Sequence, residues 1–232
     1  MSRPLTAPGG PAERADSLMH SSRYESLTAD TEADFPQYAY PPAEPLALAR
    51  SWLDEAVERG VREPRSLALA TADAQGRAST RIVTVGALDG RGLLFTSHST
   101  SRKGRELAAN PWASGVLYWR ETSQQIVLSG PTECTGDEEN DALWAARPAP
   151  LHPMTAASHQ SAPVDDVPAL RERALRLGRD GLPLPRPARF TGYLLRPAEV
   201  EFWCARPDRL HQRLRYVREH DGAGWRAERL QP

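Results

Sequence analysis

The sequence predicts a mainly β protein with intervening helices, closing as a complete or partial antiparallel barrel. Short apolar runs rich in β-branched and aromatic residues recur between turn signals. Helical patterns fall among them without the regular strand–helix alternation of a parallel α/β sheet. No Gly-x-Gly-x-x-Gly follows a strand, which removes the dinucleotide-binding layout. At 232 residues, 40% of them apolar and 25% charged, the chain has the mass for a proper core in one large or two small domains.

Residues 1–44 are rich in Pro, Ala, Ser, Asp and Glu and hold no sustained period. They read as a mobile or partner-contacting arm, with order expected near Phe35-Pro-Gln-Tyr38 through packing on a partner or as a lid. The folded domain is expected over residues 45–232. Pro45 opens a helix where a first turn tolerates proline, Leu46, Ala49, Leu53, Ala56 and Val57 form its apolar stripe, and Gly60 ends it. Ser66–Ala72 and Ala78–Val85 are strands joined by the turn Asp73-Ala-Gln-Gly76, and Gly92–Ser97 is a third. Trp112–Trp119 and Gln124–Cys134 form a hairpin through Arg120-Glu-Thr-Ser123. Shorter helical patterns fall at Arg102–Asn110, Asp137–Ala146 and Pro168–Gly178. Phe190–Leu195, Val200–Trp203, Arg213–Glu219 and Gly224–Leu230 complete the strands.

A formal net charge of −1 argues against a general nucleic-acid binder, whose affinity comes from clustered positive charge. Cys134 and Cys204 form neither a disulfide framework nor a metal-spaced set, and Cys204 reads as a buried inert thiol or a redox thiol. His98, His152 and His159 have no metal-ligand spacing, so no metal is expected, and no nucleophile motif such as Gly-x-Ser-x-Gly is present. No apolar h-region follows Met1-Ser-Arg-Pro and no run approaches membrane-spanning length, so the expected location is the cytoplasm, away from membranes.

Four places concentrate chemistry. In Glu201-Phe-Trp-Cys-Ala-Arg-Pro-Asp-Arg-Leu-His-Gln-Arg-Leu-Arg-Tyr216, extended backbone would aim Arg209, His211 and Arg213 at one place beside Trp203. That face suits a planar, electron-rich anion such as a flavin or an aromatic carboxylate, or else it is a solvated basic edge. Arg81 interrupts the β-branched strand Ser79–Thr84 and requires either an ion pair or an anion. Ser99, Thr100 and Ser101 all offer N-caps while Arg102 and Lys103 occupy the first turn, where the macrodipole disfavours cations. An anion held among them, or a solvated basic turn, accounts for that pattern. Gln124 and Gln125 open the strand Ile126-Val-Leu128, where an amide can pair with a heterocycle edge or simply flank the hairpin.

Taken in order, Arg81-Ile-Val-Thr84, Ser101-Arg-Lys103, Gln125, Gln160-Ser161, Trp203, Arg209-Leu-His-Gln-Arg213 and the terminal Arg229-Leu-Gln-Pro232 resemble the pyridoxamine 5′-phosphate oxidase family. The resemblance runs from about Pro45 to Pro232. It implies a split β-barrel homodimer with FMN at two sites between subunits. Arg81, Arg102 and Lys103 would hold the FMN phosphate. Ile82, Val83, Thr84, Thr96 and Ser97 would border the ring and ribityl chain. Gln125 would meet the ring edge, and Gln160 and Ser161 would join from the partner subunit. Trp203 and Arg213 would flank the flavin, and Arg209 and His211, the expected catalytic pair, would face the substrate.

The family's vitamin-making members hold their substrate phosphate with Lys, Tyr, Arg and Ser, where this chain has Gly86, Leu143, Arg147 and Leu151. Losing three polar contacts removes charge-assisted hydrogen bonds of roughly 1.5–3 kcal/mol each. A flat, mostly hydrophobic carboxylate bound by Arg147, Arg209 and His211 suits the altered pocket better. Gly60-Val-Arg-Glu-Pro64, Ala68–Gly76 and Asn110–Gln125 are similar to the branch of the family that acts in phenazine biosynthesis. The implied activity is an FMN-dependent oxidase that aromatises a partly reduced phenazine carboxylate, with O2 as acceptor and H2O2 released. The alternative is a pyridoxamine or pyridoxine 5′-phosphate oxidase making pyridoxal 5′-phosphate. A third class, a flavin- or haem-binding module without turnover, is disfavoured by the intact Arg209–Arg213 block.

Overall fold

The structure, a computed structural model, describes residues 33–219 and 224–232, so the first part of the predicted arm lies outside the described residues. Nine antiparallel strands among the described residues form the body: β1 (Ser66–Ala72), β2 (Ala78–Asp89), β3 (Gly92–His98), β4 (Trp112–Trp119), β5 (Gln124–Cys134), β6 (Phe190–Leu195), β7 (Glu199–Cys204), β8 (Gln212–Arg218) and β9 (Trp225–Leu230). They run in the order β4-β1-β2-β3-β6-β5-β7-β8-β9, and β4 also pairs with β5. That extra pairing closes β4, β1, β2, β3, β6 and β5 into a six-stranded split barrel, and β7, β8 and β9 extend from β5 as a flap of sheet. Among the described residues five α-helices decorate it: α1 (Pro45–Glu58), α2 (Arg102–Ala109), α3 (Asp137–Ala146), α4 (His152–Ala157) and α5 (Val167–Leu177). None of the described helices is long and apolar enough to cross a membrane.

Two bent strands make the closure possible. β2 pairs with β1 over residues 78–84 and with β3 from Val85 onward, across a bulge at Val85/Ala87. The predicted strand end at Val85 is therefore the bulge rather than the end, and β2 runs on to Asp89. β5 pairs with β7 through Ser129 and with β6 from Thr132. Between them Gly130 is obligatory, because a Cβ there would sit 2.2 Å from the Arg196 carbonyl oxygen. The neighbouring Pro131 has no N–H to leave unpaired at the switch.

The core is continuous through the barrel and under α1, with Leu67, Leu69, Phe95, Leu117, Ile126, Leu128 and Phe202 at most 1% exposed. Alternation on β1, β4 and β5 supplies it, each strand turning every second side chain inward. Two expectations need correction. Val57 points to water at 45% exposed, and Trp52 occupies the inward stripe position in α1 because its ring fits between Phe35 at 4.8 Å and Phe202 at 5.1 Å. The arm does not extend to residue 44: Ala33 and Phe35 are 3% and 2% exposed, packed on this chain's own core rather than on a partner. The segment is pinned from β9, where Arg229 Nε and NH2 donate to the Tyr38 and Ala39 carbonyls at 2.7 and 2.8 Å. Cys204 is fully buried beneath it, which fits the inert reading of that thiol.

Phe35→Ala removes an aromatic ring from this cluster, and the stability to denaturant should fall by roughly 3 kcal/mol. An unchanged unfolding midpoint would place residues 33–38 outside the cooperative unit.

Candidate active site

The site is built where β3 hands over to α2. Ser101 caps the helix, its Oγ accepting the Gly104 N–H at 3.2 Å. The turn is so tight that a Cβ on Gly104 would lie 2.3 Å from the Ser99 carbonyl oxygen, which explains glycine in the second half of Ser101-Arg-Lys-Gly104. The geometry forces Lys103 inward, where it is only 6% exposed. Its ammonium donates to Ser97 Oγ at 2.8 Å, Gln160 Oε1 at 3.0 Å and Ser101 Oγ at 3.5 Å, all neutral oxygens. Burial first, and the nearby Arg81 charge second, lower its pKa to about 8, against the opposing pull of Glu106. A buried cation with neutral partners is a place for an anion.

Arg81 reaches the same spot from β2. It donates to Thr71 Oγ1 and Ser79 Oγ, each at 2.5 Å, and to Glu106 Oε2 at 3.0 Å, while Arg102 Nε donates to Glu106 Oε1 at 2.8 Å. Glu106 also accepts from Thr71 at 2.5 Å and from Ser79 at 2.7 Å. Burial disfavours its charge, but those hydrogen bonds outweigh burial and hold its pKa at about 2. So the two readings of Arg81 coexist: it is ion-paired from behind and faces a cavity in front.

That cavity, of about 500 Å³, is lined by Ser79 to Thr84, Thr96, Ser97, Arg102, Lys103, Arg147, Gln160 and Ser161. It gathers eleven of the residues singled out from the sequence. Gln160 and Ser161 require a correction, since they belong to the same protomer as Lys103. After α4 the chain folds back over α2, His98 Nδ1 accepts the Gln160 N–H at 3.3 Å, and Ser161 Oγ accepts the Arg102 N–H at 3.1 Å. His98 is buried, and burial followed by the charges of Arg189, His159, Lys103 and Arg147 pushes its pKa down to about 4, so it stays a neutral acceptor. Neither Glu106 nor His98 was assigned a role from sequence. The signal for Glu106 was its position four residues after Arg102 on one helix face; nothing local marked His98.

Arg147, at the end of α3, lines both this cavity and a smaller one beside it of about 190 Å³. Its Nε is buried without a partner among the described residues, and its NH2 makes only a 3.4 Å contact to Thr155. His152 anchors its main chain, bonded through Nε2 to the Arg147 carbonyl at 3.0 Å. Gly86, Leu143 and Leu151 do not line the cavity of the same protomer.

The remaining predicted residues form a second group on the flap. Gln125 stands opposite Trp203, and Trp203 opposite Arg213, so the three make one row across β5, β7 and β8. Arg213 is held by Glu201 in two bonds of 2.7 and 3.1 Å. The expected alternation of Arg209, His211 and Arg213 on one strand is overturned: Arg209 lies in a tight turn with φ of 65°, and β8 starts only at Gln212. The His211 ring is 5.0 Å from Trp203, and its Nδ1 accepts the Arg206 N–H at 3.1 Å. The neutral ring therefore carries its proton on Nε2, a donor geometry. None of these five residues lines the cavity of its own chain.

A split barrel with a cation-lined cavity at a helix start, and the row of Gln125, Trp203 and Arg213 across its flap, defines a split-barrel protein whose cavity suits an anion. The chain belongs to the pyridoxamine 5′-phosphate oxidase family: residues 53–204 match the family described as pyridoxamine 5′-phosphate oxidase. Residues 190–232 match the pyridoxine 5′-phosphate oxidase C-terminal dimerisation region. Among its relatives, the dihydrophenazinedicarboxylate synthase of Burkholderia lata is 52% identical over 92% of this chain and 100% of its own length. The synthase of the same name from Pseudomonas chlororaphis is 49% identical over 93% of this chain and 96% of its own. A pyridoxine/pyridoxamine 5′-phosphate oxidase from Alcanivorax borkumensis is 39% identical over 82% of this chain and 90% of its own. Among solved structures, PhzG from Burkholderia lata 383 in complex with tetrahydrophenazine-1-carboxylic acid superposes with a TM-score of 0.84 at 51% identity, covering 88% of this chain and 99% of that one.

Gly104→Ala should cost about 1–3 kcal/mol, the usual range for forcing atoms into a filled space, and lower the melting temperature. An unchanged melting temperature would mean that the start of α2 can slide away from Ser99.

Proposed function

We propose that this protein is a cytoplasmic, homodimeric, FMN-dependent oxidase that dehydrogenates a partly reduced phenazine carboxylate. The observation that carries the reading is Arg147, whose buried Nε has no partner among the described residues, in the cavity beside the Lys103 cradle of a chain 52% identical to a dihydrophenazinedicarboxylate synthase. The cavity offers two separate anion positions, one at Arg81, Arg102 and Lys103 and one at Arg147. A flavin phosphate fits the first, since a buried lysine with neutral partners lacks the negative charge a phosphate brings. A single carboxylate fits the second, because one guanidinium forks onto a carboxylate in two bonds.

FMN, if bound there, would supply a two-electron acceptor for the substrate's hydrogens, with O2 as the final acceptor and H2O2 as its product. The chain's own residues bind and orient. The strand segment Ile82–Thr84 and Thr96-Ser97 would border the ring. Gln125, Trp203 and Arg213 of the partner subunit would complete the pocket, which the dimerisation-region match over residues 190–232 supports. Arg209 and His211 of the partner subunit would face the substrate. With Nδ1 occupied by the Arg206 N–H, His211 serves as an Nε2–H donor that orients the substrate rather than as its base. Turnover needs no strong base, since the substrate's ring N–H proton can leave to water once the ring becomes aromatic.

Purified, FMN-loaded protein should consume O2 with chemically reduced phenazine-1-carboxylate above its spontaneous oxidation, and not with pyridoxine 5′-phosphate. Turnover of the phosphate ester alone would return the chain to vitamin metabolism. Arg147→Met should raise KM for the phenazine carboxylate about 10-fold while leaving FMN affinity unchanged; an unchanged KM would remove Arg147 from the substrate site. FMN affinity should also depend on pH with a defined sign. A bound dianion raises the Lys103 pKa from about 8, so the loaded state holds more protons and affinity declines as pH rises through that value. On the acid side, affinity declines as the phosphate itself protonates below roughly pH 6. Lys103→Met should flatten the alkaline limb of a fluorescence titration; an alkaline limb that persists would mean another group carries it.

A further inference from the structure

The residue behind the cradle matters as much as those lining it. Glu106 is 5% exposed, does not line the cavity, and yet contacts both arginines that do. Its carboxylate accepts from four side chains at once: the Thr71 and Ser79 hydroxyls and the Arg81 and Arg102 guanidiniums. Thr71 and Ser79 in turn accept from Arg81, so three side chains from β1, β2 and α2 fix one guanidinium plane.

We infer that Glu106 is a positioning residue for the flavin phosphate: it holds Arg81 and Arg102 in the orientation that receives the phosphate and sets the charge of the cradle to match it. The inference rests on the FMN reading above. Without Glu106, the cradle of Arg81, Arg102 and Lys103 carries three positive charges; with it, the net is plus two. A phosphate monoester carries roughly −1.5 to −2 at neutral pH, so the loaded cluster is close to neutral. The carboxylate also acts before any ligand arrives. Arg81 and Arg102 would repel each other across an empty cradle, and each would lose rotamer entropy on binding if it were not already held. An amide cannot substitute. Glutamine has one acceptor oxygen, and its NH2 would face hydroxyl and guanidinium donors.

The opposite expectation is simple electrostatics: removing a negative charge beside a phosphate would tighten binding. The two effects have opposite signs, and the geometry decides for positioning. Glu106 does not line the cavity and is ion-paired to both guanidiniums that do, so its charge is compensated before a phosphate binds, whereas its hydrogen bonds have no replacement.

The test is flavin-fluorescence titration of the full-length protein, stripped of flavin, with FMN and with riboflavin, which lacks the phosphate. For Glu106→Gln the FMN dissociation constant should rise at least 10-fold with that of riboflavin unchanged, and Glu106→Asp should recover part of the loss. Thr71→Val removes one hydroxyl from the network without changing any charge or touching the cavity, and its melting temperature is compared with that of the wild type. It should weaken FMN binding about 3-fold. Equal or tighter FMN binding by Glu106→Gln, or no effect of Thr71→Val, would overturn the inference while leaving the FMN reading standing. Wild-type protein that binds FMN no more tightly than riboflavin would overturn the phosphate cradle, and this inference with it.

Discussion

The buried carboxylate of Glu106 is the interaction on which the site's architecture depends. A charge removed from water must be paired and fully hydrogen-bonded, or it destabilises the fold by several kcal/mol. Satisfying Glu106 takes Thr71 from β1, Ser79 and Arg81 from β2, and Arg102 from its own helix. Each of those partners comes from an element whose inward face is already fixed by apolar packing, with Leu67 and Leu69 on β1 and Leu107 on α2 buried beside them. Barrel closure therefore places the cations, and the cations in turn tie α2 to the two strands beneath it. The position of Lys103 follows, because the capped, glycine-tightened turn leaves its side chain no route but inward.

The second constraint is that one chain carries the proposed flavin site only in halves. The cavity has the cradle, the β2 edge and Arg147; the row Gln125, Trp203 and Arg213 sits across β5, β7 and β8 on the flap. A two-fold dimer is the simplest way to bring such halves together, since each interface contact occurs twice and each chain completes its neighbour. Ile82 at the cavity and Tyr118 on β4 are 64% and 40% exposed, apolar surface of the kind that a subunit interface covers.

Much of this was legible in the sequence, for physical reasons that differ by element. β1, β4, β5 and β6 were read with their observed limits, because strict alternation or a short apolar run bounded by turn residues leaves little freedom. β2 was read short, since a bulge interrupts the period and Gly86 there looks like a terminator. Order near Phe35 was expected, but not that the segment packs on this chain's own Trp52 and Phe202 or that it takes in Ala33, because three residues of 3-10 helix in a proline-rich stretch have no period that names their partners. The cradle residues stood out as cations in places that disfavour cations. His98 did not, since its role exists only through a contact made across the loop, and Glu106 showed locally only its spacing from Arg102, its bonds to Thr71, Ser79 and Arg81 being made across the barrel. The turn at Arg209 was misread because a left-handed backbone at a non-glycine residue has no local sign.

Mixed dimers test the proposed division of the site most directly. One protomer would carry Lys103→Met, its partner Trp203→Ala, with different affinity tags so that only the heterodimer is purified. Either homodimer damages both of its sites, whereas the heterodimer contains one site with a native cradle and a native row. The division predicts that the heterodimer binds one FMN per two chains with wild-type affinity, and that both homodimers bind weakly. Weak binding by the heterodimer as well would contradict it and place cradle and row within a single chain.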